Sequence, residues 1–256
     1  MTAHSPTFEL KLAASEADLC AAQRLRYDVF VHELGGDGPM VDHEAGLECD
    51  AYDALYDHLL LIDTAAPGAP VVGSYRLMRG DQLAPGARFY SETEYDLEVL
   101  KASGRRLLEL GRSCVHPDYR GGAALMALWR GLLGYVEAHA IEVMFGVASF
   151  HGTDPTPHAA PLSLLHQNHL APEPLRVRAR GEHFQVMGLV ELAAIDRVAA
   201  MRAMPPLIKS YLRLGGFVGE GAYIDRDFNT IDVCIIVDIA LVPESLRALY
   251  GREGER

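Results

Sequence analysis

Two charged residues three apart, Glu109 and Arg112, interrupt an otherwise apolar stretch, Leu107 to Val115. A carboxylate in such surroundings is equipped to take a proton, and a guanidinium to hold an anion. Just downstream, His116-Pro117-Asp118 reads as a turn and Arg120-Gly121-Gly122 as a glycine turn that opens a helix. The N–H groups of a first helical turn, with the helix dipole behind them, form an anion cradle. A phosphate grip beside a potential base is the equipment for moving a group off a phosphorylated carrier. Strand residues three apart face opposite ways, so a direct Glu109–Arg112 contact needs a bulge or twist, and two separate roles are the expectation. The plainer alternative is that Glu109 forms a structural ion pair.

Other constellations point elsewhere. Ser149, His151 and Asp154 are the residue types of a hydrolase triad, but they lie too close in sequence for triad geometry and no GxSxG elbow is present. His166 and His169 share a helical face without a third ligand, so no metal site is expected. Cys114 is read as a buried strand cysteine rather than a nucleophile, and Trp129 as core.

The elements that must position these residues follow from periodicity. Phe8–Leu12 alternates as a strand, and Ser15 with Asp18 three residues on starts a helix that runs through His32 to Gly35-Gly36. Residues Gly35 to Asp53 form a glycine-rich acidic loop. Asp57–Asp63 and Val71–Met78 read as hairpin strands, and Arg79 to Tyr95 as a second loop. Leu107–Val115 is a central strand, Gly122–His139 a helix and Ile141–Ser149 a buried strand. A helix over Pro161–His169 and a strand over Leu175–Ala179 follow. Pro205-Pro206 starts a helix over Leu207–Leu214 that Gly215-Gly216 ends, and strands over Phe217–Tyr223 and Thr230–Val237 complete the pattern. The expectation is an α/β or α+β fold, a mixed twisted sheet flanked by helices in one elaborated domain over 1–256.

Composition narrows the classes. A chain of 256 residues, 49% hydrophobic and with a net charge of −12, buries a substantial core. Its charge disfavours nucleic-acid binding and gives no general attraction to an anionic membrane. Four dispersed cysteines without a CxxC favour a reducing compartment. No signal peptide or membrane span is read, so the expected location is cytoplasmic, with peripheral contact at the inner face of the membrane left open.

The segment Val115-His-Pro-Asp-Tyr-Arg-Gly-Gly122, in the order strand, helix, hairpin, central strand, glycine turn, helix, strand, resembles the GNAT acyltransferase superfamily. Alanine and leucine (Ala123-Ala124-Leu125) stand where two further glycines are usual in that turn. Arg24, the acids Asp50 and Asp53, Gly73-Ser-Tyr-Arg76 and Glu109-x-x-Arg112 are similar to the acyl-homoserine-lactone synthases. The whole chain looks most like the ornithine N-acyltransferases of ornithine-lipid synthesis. It shares with them Arg26-Tyr-Asp-Val-Phe30, Asp50-x-x-Asp53, Glu109-Leu-Gly-Arg-Ser113, Pro205 to Arg213 and Asp225 to Val233.

That resemblance implies a GNAT-like fold with an acyl-donor core over about 55–150 and a C-terminal elaboration over about 155–250. It implies transfer of a 3-hydroxyacyl chain from acyl carrier protein to the α-amine of L-ornithine. The 4′-phosphopantetheine thioester is then a co-substrate, with no tightly bound cofactor. Glu109 is the implied base, and Arg112 holds substrate, donor phosphate or Glu109 itself. Backbone groups of Arg120, Gly121, Gly122, Ala123 and Ala124 would receive the donor. Arg76 is the candidate for ornithine's carboxylate, and Asp50 and Asp53 for its distal ammonium. Arg24 is a further substrate-binding candidate, or a structural partner of the acidic loop. Lys101, Arg105 and Arg106, or Arg176, Arg178 and Arg180, are candidate carrier-docking patches. A homoserine-lactone-type signal synthase and a non-catalytic acyl-chain or carrier-protein binding module are the alternatives.

Overall fold

The structure, a computed structural model, describes residues 5–120 and 122–246. In chain order its strands and helices are β1 (Phe8–Leu12), α1 (Glu16–Arg26), β2 (Val41–Asp42), β3 (Leu47–Glu48), β4 (Asp57–Asp63), β5 (Val71–Arg79), β6 (Tyr95–Asp96), α2 (Glu98–Lys101) and β7 (Leu107–Val115). Then come α3 (Gly122–Ala138), β8 (Val143–His151), α4 (Ala159–His169), β9 (Arg178–Ala179), β10 (Phe184–Gln185), α5 (Arg197–Ala203), α6 (Pro206–Arg213), β11 (Phe217–Val218), β12 (Ala222–Asp225) and β13 (Thr230–Asp238). They build two compact units that interleave along the chain. Among the described residues, one holds 5–78, 110–120 and 122–140, the other 79–109 and 141–246.

In the first unit β1, β4 and β5 form an antiparallel meander, joined by the later residues of β7. Ser15 caps α1, its hydroxyl accepting from the Asp18 N–H at 3.2 Å, as the sequence pattern requires. The helical path does not stop at Arg26. It continues as a π-helical turn over Tyr27–Glu33 and ends where Gly35 takes φ +72°. Helix α3 lies on the meander. A Cβ on its Gly131 would stand 3.1 Å from both Leu10 and Leu59, so the glycine lets helix and sheet approach closely. Leu128, Trp129 and Leu132 of α3 are buried, and each such side chain contributes about 1.5–3 kcal/mol.

In the second unit the strand order is β7, β8, β13, β12, β10, with β11 also on β13. The first three residues of β7 pair in parallel with β8, from Leu107 opposite Val143 to Glu109 opposite Phe145. β8 and β13 then pair antiparallel along their full lengths. The run Ile231–Val237 is buried throughout, which explains its unbroken apolar sequence apart from Asp232. Phe89 packs edge-on to Phe145, and the buried Tyr95 hydroxyl donates to the carbonyls of Gly221 and Asp232. A mixed sheet flanked by helices is therefore observed. The strand expected over Leu175–Ala179 is only Arg178–Ala179, preceded by a 3₁₀ turn over Glu173–Leu175 that begins after Pro172.

Candidate active site

Glu109 lies where the parallel β7–β8 register ends, and it is 1% exposed. Its carboxylate accepts hydrogen bonds from two consecutive backbone N–H groups, Tyr90 at 3.0 Å and Ser91 at 2.5 Å. These donors open a 3₁₀ turn over Tyr90–Thr93. That turn is itself fastened by Glu92, which accepts from the Phe89 N–H at 2.9 Å and pairs with Lys101 at 2.8 Å. Glu109 is therefore held by main chain in one orientation. A carboxylate offers about four lone-pair directions, and these two amides fix how they point.

Three residues on, Arg112 has φ +47°, a left-handed conformation that costs a non-glycine residue roughly 1–2 kcal/mol. It belongs to a cluster built almost wholly of charge. The Arg112 guanidinium donates to Glu48 at 2.9 Å and Asp50 at 3.1 Å. Arg76 of β5 donates to Asp50 at 2.6 Å and Asp53 at 2.8 Å. Arg26, at the end of α1, grips Asp53 through both Nη atoms at 2.8 and 2.7 Å, and pairs with Glu48 at 2.5 Å. Three guanidiniums thus meet three carboxylates, with Gln23 donating to Asp53 at 2.9 Å and the Arg76 guanidinium lying 4.8 Å from the Tyr56 ring centre.

Burial works against charge on Asp53, but the Arg26 hydrogen bonds and charge, helped by Gln23 and Arg76, prevail and hold its carboxyl well below the usual range. Burial also lowers the pKa of His58, whose Nε2 meets the Asp53 carbonyl at 3.0 Å, and the neutral ring donates there.

The structure thus joins Arg76, Asp50 and Asp53 to one another. Arg76 and Asp53 are 1% and 4% exposed, whereas Asp50 at 14% and Arg112 at 8% form the accessible edge. Arg24, expected to pair with the acidic loop, is exposed, and Arg26 fills that role instead. The two lie on different sides of α1, since residues two apart on a helix do not share a face.

At the donor end, Gly122 opens α3, Ala123 is exposed and Ala124 is buried. Gly121 lies outside the described residues. The Arg120 side chain is committed to a two-pronged pair with Glu33 at 2.5 and 2.6 Å, and its Nε donates to the Val115 carbonyl. The first-turn amides of α3 have no partner within the helix itself.

Neither basic cluster is an unopposed patch. Lys101 pairs with Glu92, Arg105 with Asp238 at 2.6 Å, Arg106 with Glu142 at 3.9 Å and Arg178 with Glu220. Arg176 and Arg180 each donate to a main-chain carbonyl. Asp154 accepts from the Thr156 N–H and His158 contacts the His151 carbonyl, so these polar groups are used in turns. Cys114 is buried, and its thiol is pushed up to about 12 by desolvation, which makes it inert. A feature missed in the sequence is a carboxylate group, Glu94, Asp225 and Asp232, with oxygens within 4.8 Å of one another. The spacing of Asp225 and Asp232 around the β12–β13 turn was its only signal, because Glu94 arrives from a distant loop.

The family described as "Acetyltransferase (GNAT) domain" matches residues 25–130. An L-ornithine N(alpha)-acyltransferase of Rhodobacter capsulatus is 57% identical over 258 residues, covering 100% of this chain and 99% of that protein. One of Brucella abortus is 44% identical over 255 residues, covering 98% and 91%. Among solved structures, the AHL synthase LasI aligns with a TM-score of 0.52 at 16% identity, over 98% of this chain and 100% of that one. At that identity the likeness is one of fold.

Proposed function

We propose, from the premise that this chain belongs to the L-ornithine N(alpha)-acyltransferase family, that it moves a 3-hydroxyacyl chain from acyl carrier protein to the α-amine of L-ornithine. Acyl transfer is the activity of the family and of the GNAT domain. Ornithine as acceptor is supported by the full-length identity to the Rhodobacter and Brucella enzymes.

The reaction is aminolysis of a thioester. An N–C bond forms at the acyl carbonyl, the C–S bond breaks, and the amine proton passes by way of a base to the departing thiolate. An α-amine with a pKa near about 8 is mostly protonated at neutral pH and cannot attack until it loses that proton. Glu109 is proposed to take it, directly or through one water. The observation that carries this role is the carboxylate fixed by the Tyr90 and Ser91 amides. A base locked in position contributes about 10²–10⁴ in rate.

The charged cluster is proposed to act mainly as a frame. Asp53 already faces two guanidiniums, and Arg76 is committed to Asp50 and Asp53. Its accessible edge, Asp50 with Arg112, is the part able to meet ornithine's charges. The α3 amides at Ala123 and Ala124 are proposed to receive the single phosphodiester of a pantetheine arm. A cradle with alanines in place of glycines suits that smaller demand better than a pyrophosphate. Mass spectrometry of products from a 3-hydroxyacyl carrier protein and a panel of amino acids tests the reading. Amidated ornithine is expected; a lactone, or equal use of a coenzyme A thioester, would contradict the acceptor or the donor assignment respectively.

A further inference from the structure

Among the described residues, exposed apolar side chains are concentrated in one run. Val186, Leu189, Leu192, Val198 and Met201 are all exposed, while Leu12, Leu34, Leu55 and Leu241 are scattered along the rest of the described chain. The run is laid on α4. Ser163 of α4 donates to the Met187 carbonyl at 3.0 Å and accepts from the N–H groups of Leu189 and Val190 at 2.8 and 2.9 Å. Gln167 donates to the Val190 carbonyl at 2.9 Å. The 3₁₀ turn Leu192–Ala194 and helix α5 also pack against α4.

Helix α5 is anchored from beneath. Asp196 caps it by accepting from the Val198 and Ala199 N–H groups, and Ile195, Ala200 and Met204 are buried. Val198, Met201 and Arg202, at spacings of three and four, share the opposite face. Val198 is 70% exposed, so an anchored helix holds this apolar side chain out in water. Charge on the segment departs from the trend of the chain. Against a net −12 overall, Arg197 and Arg202 balance Glu191 and Asp196 within 186–202, and Lys209, which donates to the Arg202 carbonyl, adds a positive charge beside them.

We propose that the face from Val186 to Arg202 docks on the surface of an anionic lipid bilayer. The apolar side chains enter the headgroup–acyl boundary, and Arg197 and Arg202 meet the phosphates. A second copy of the chain fits this face less well. A two-fold contact would set Arg197 and Arg202 against their own copies, between two molecules that already repel. The proposal rests on surface chemistry alone and is independent of the acceptor assignment.

The test is co-sedimentation of the full chain with phosphatidylcholine vesicles and with mixed phosphatidylcholine–phosphatidylglycerol vesicles, at low and high salt. Salt-sensitive binding to the mixed vesicles is expected. The double variant Val198→Asp with Met201→Asp should lower partitioning by roughly tenfold or more. Arg197→Gln with Arg202→Gln should lower it by roughly tenfold on mixed vesicles and little on neutral ones. Retained acyl transfer in solution shows that both variants fold. Absence of wild-type binding to either vesicle type overturns the proposal, as does wild-type binding by both variants. A dimer that the aspartate variant dissolves, without vesicle binding, identifies a second copy as the occupant and overturns it too.

Discussion

The backbone N–H of Ser91 donates to Oε1 of Glu109 at 2.5 Å, and the adjacent Tyr90 N–H donates to Oε2 at 3.0 Å. Main-chain donors cannot be removed by truncating a side chain, which separates two substitutions at Ser91. Its hydroxyl is buried without a hydrogen-bond partner among the described residues, so Ser91→Ala should be neutral or slightly stabilising and keep turnover within about twofold. Ser91→Pro deletes the N–H at an early position of the 3₁₀ turn. Turnover should then fall by about tenfold or more, with ornithine KM changed less, in steady-state kinetics of amide formation.

The charged cluster predicts a stability loss on removal of a single member. Arg26→Met leaves Asp53 and Glu48 short of their principal partner in a buried setting. Urea titration should show a loss of about 3–5 kcal/mol. Arg26→Lys should recover little, because an ammonium cannot reproduce the two-pronged grip on Asp53.

Two groups at the site contribute to the acid limb of stability, and both have the same sign. Burial holds the folded-state pKa of His58 below 6.5, so the unfolded chain takes the proton first as pH falls. Its contribution is present above about 6.5 and is lost below it. The folded-state pKa of Asp53 is depressed by Arg26 against the opposing effect of burial. Its contribution is present above the unfolded value near about 3.9 and is lost as pH falls further. Urea midpoints between neutral and acid pH should therefore fall in two stages. His58→Gln should flatten the upper stage, and Asp53→Asn the lower one.

At the start of α3 the donor contact is read as main chain, so proline is the discriminating probe. Ala123→Pro removes a first-turn amide without breaking an intrahelical bond. KM for the acyl carrier protein should rise by about tenfold with helicity unchanged, measured by carrier titration and circular dichroism. Arg120→Ala should affect donor KM little, because its guanidinium is engaged by Glu33.

The sequence was most legible where periodicity and capping coincide. Asp57–Asp63, Leu107–Val115 and the Ser15 cap appear as expected, since alternation and a side-chain acceptor are local signals. The strand expected over Phe217–Tyr223 is broken into β11 and β12. Between them Gly221 has φ +75°, and a Cβ there would strike the Phe184 ring at 2.1 Å, a tertiary constraint with no local trace. Helix α5 was overlooked, although Asp196 at its cap was a readable start. At the site, Glu109 and Arg112 stood out as charges on an apolar strand, but their partners did not. The Tyr90 and Ser91 donors are backbone groups that any residue supplies, and the Arg26–Asp53 pair spans 27 residues.

The most direct measurement compares wild type with Glu109→Gln for N-acylation of L-ornithine from a purified 3-hydroxyacyl carrier protein, followed as amide formed per enzyme in a single turnover. The amide side chain keeps the size of the carboxylate and one acceptor oxygen, sets its NH2 beside the other backbone donor, and cannot accept the α-amine proton as a carboxylate does. The account predicts correctly folded Glu109→Gln protein whose single-turnover rate falls by about 10²–10⁴, with ornithine still the preferred amine. An unchanged rate, or a wild-type enzyme that leaves ornithine unacylated while acylating another amine, would contradict it.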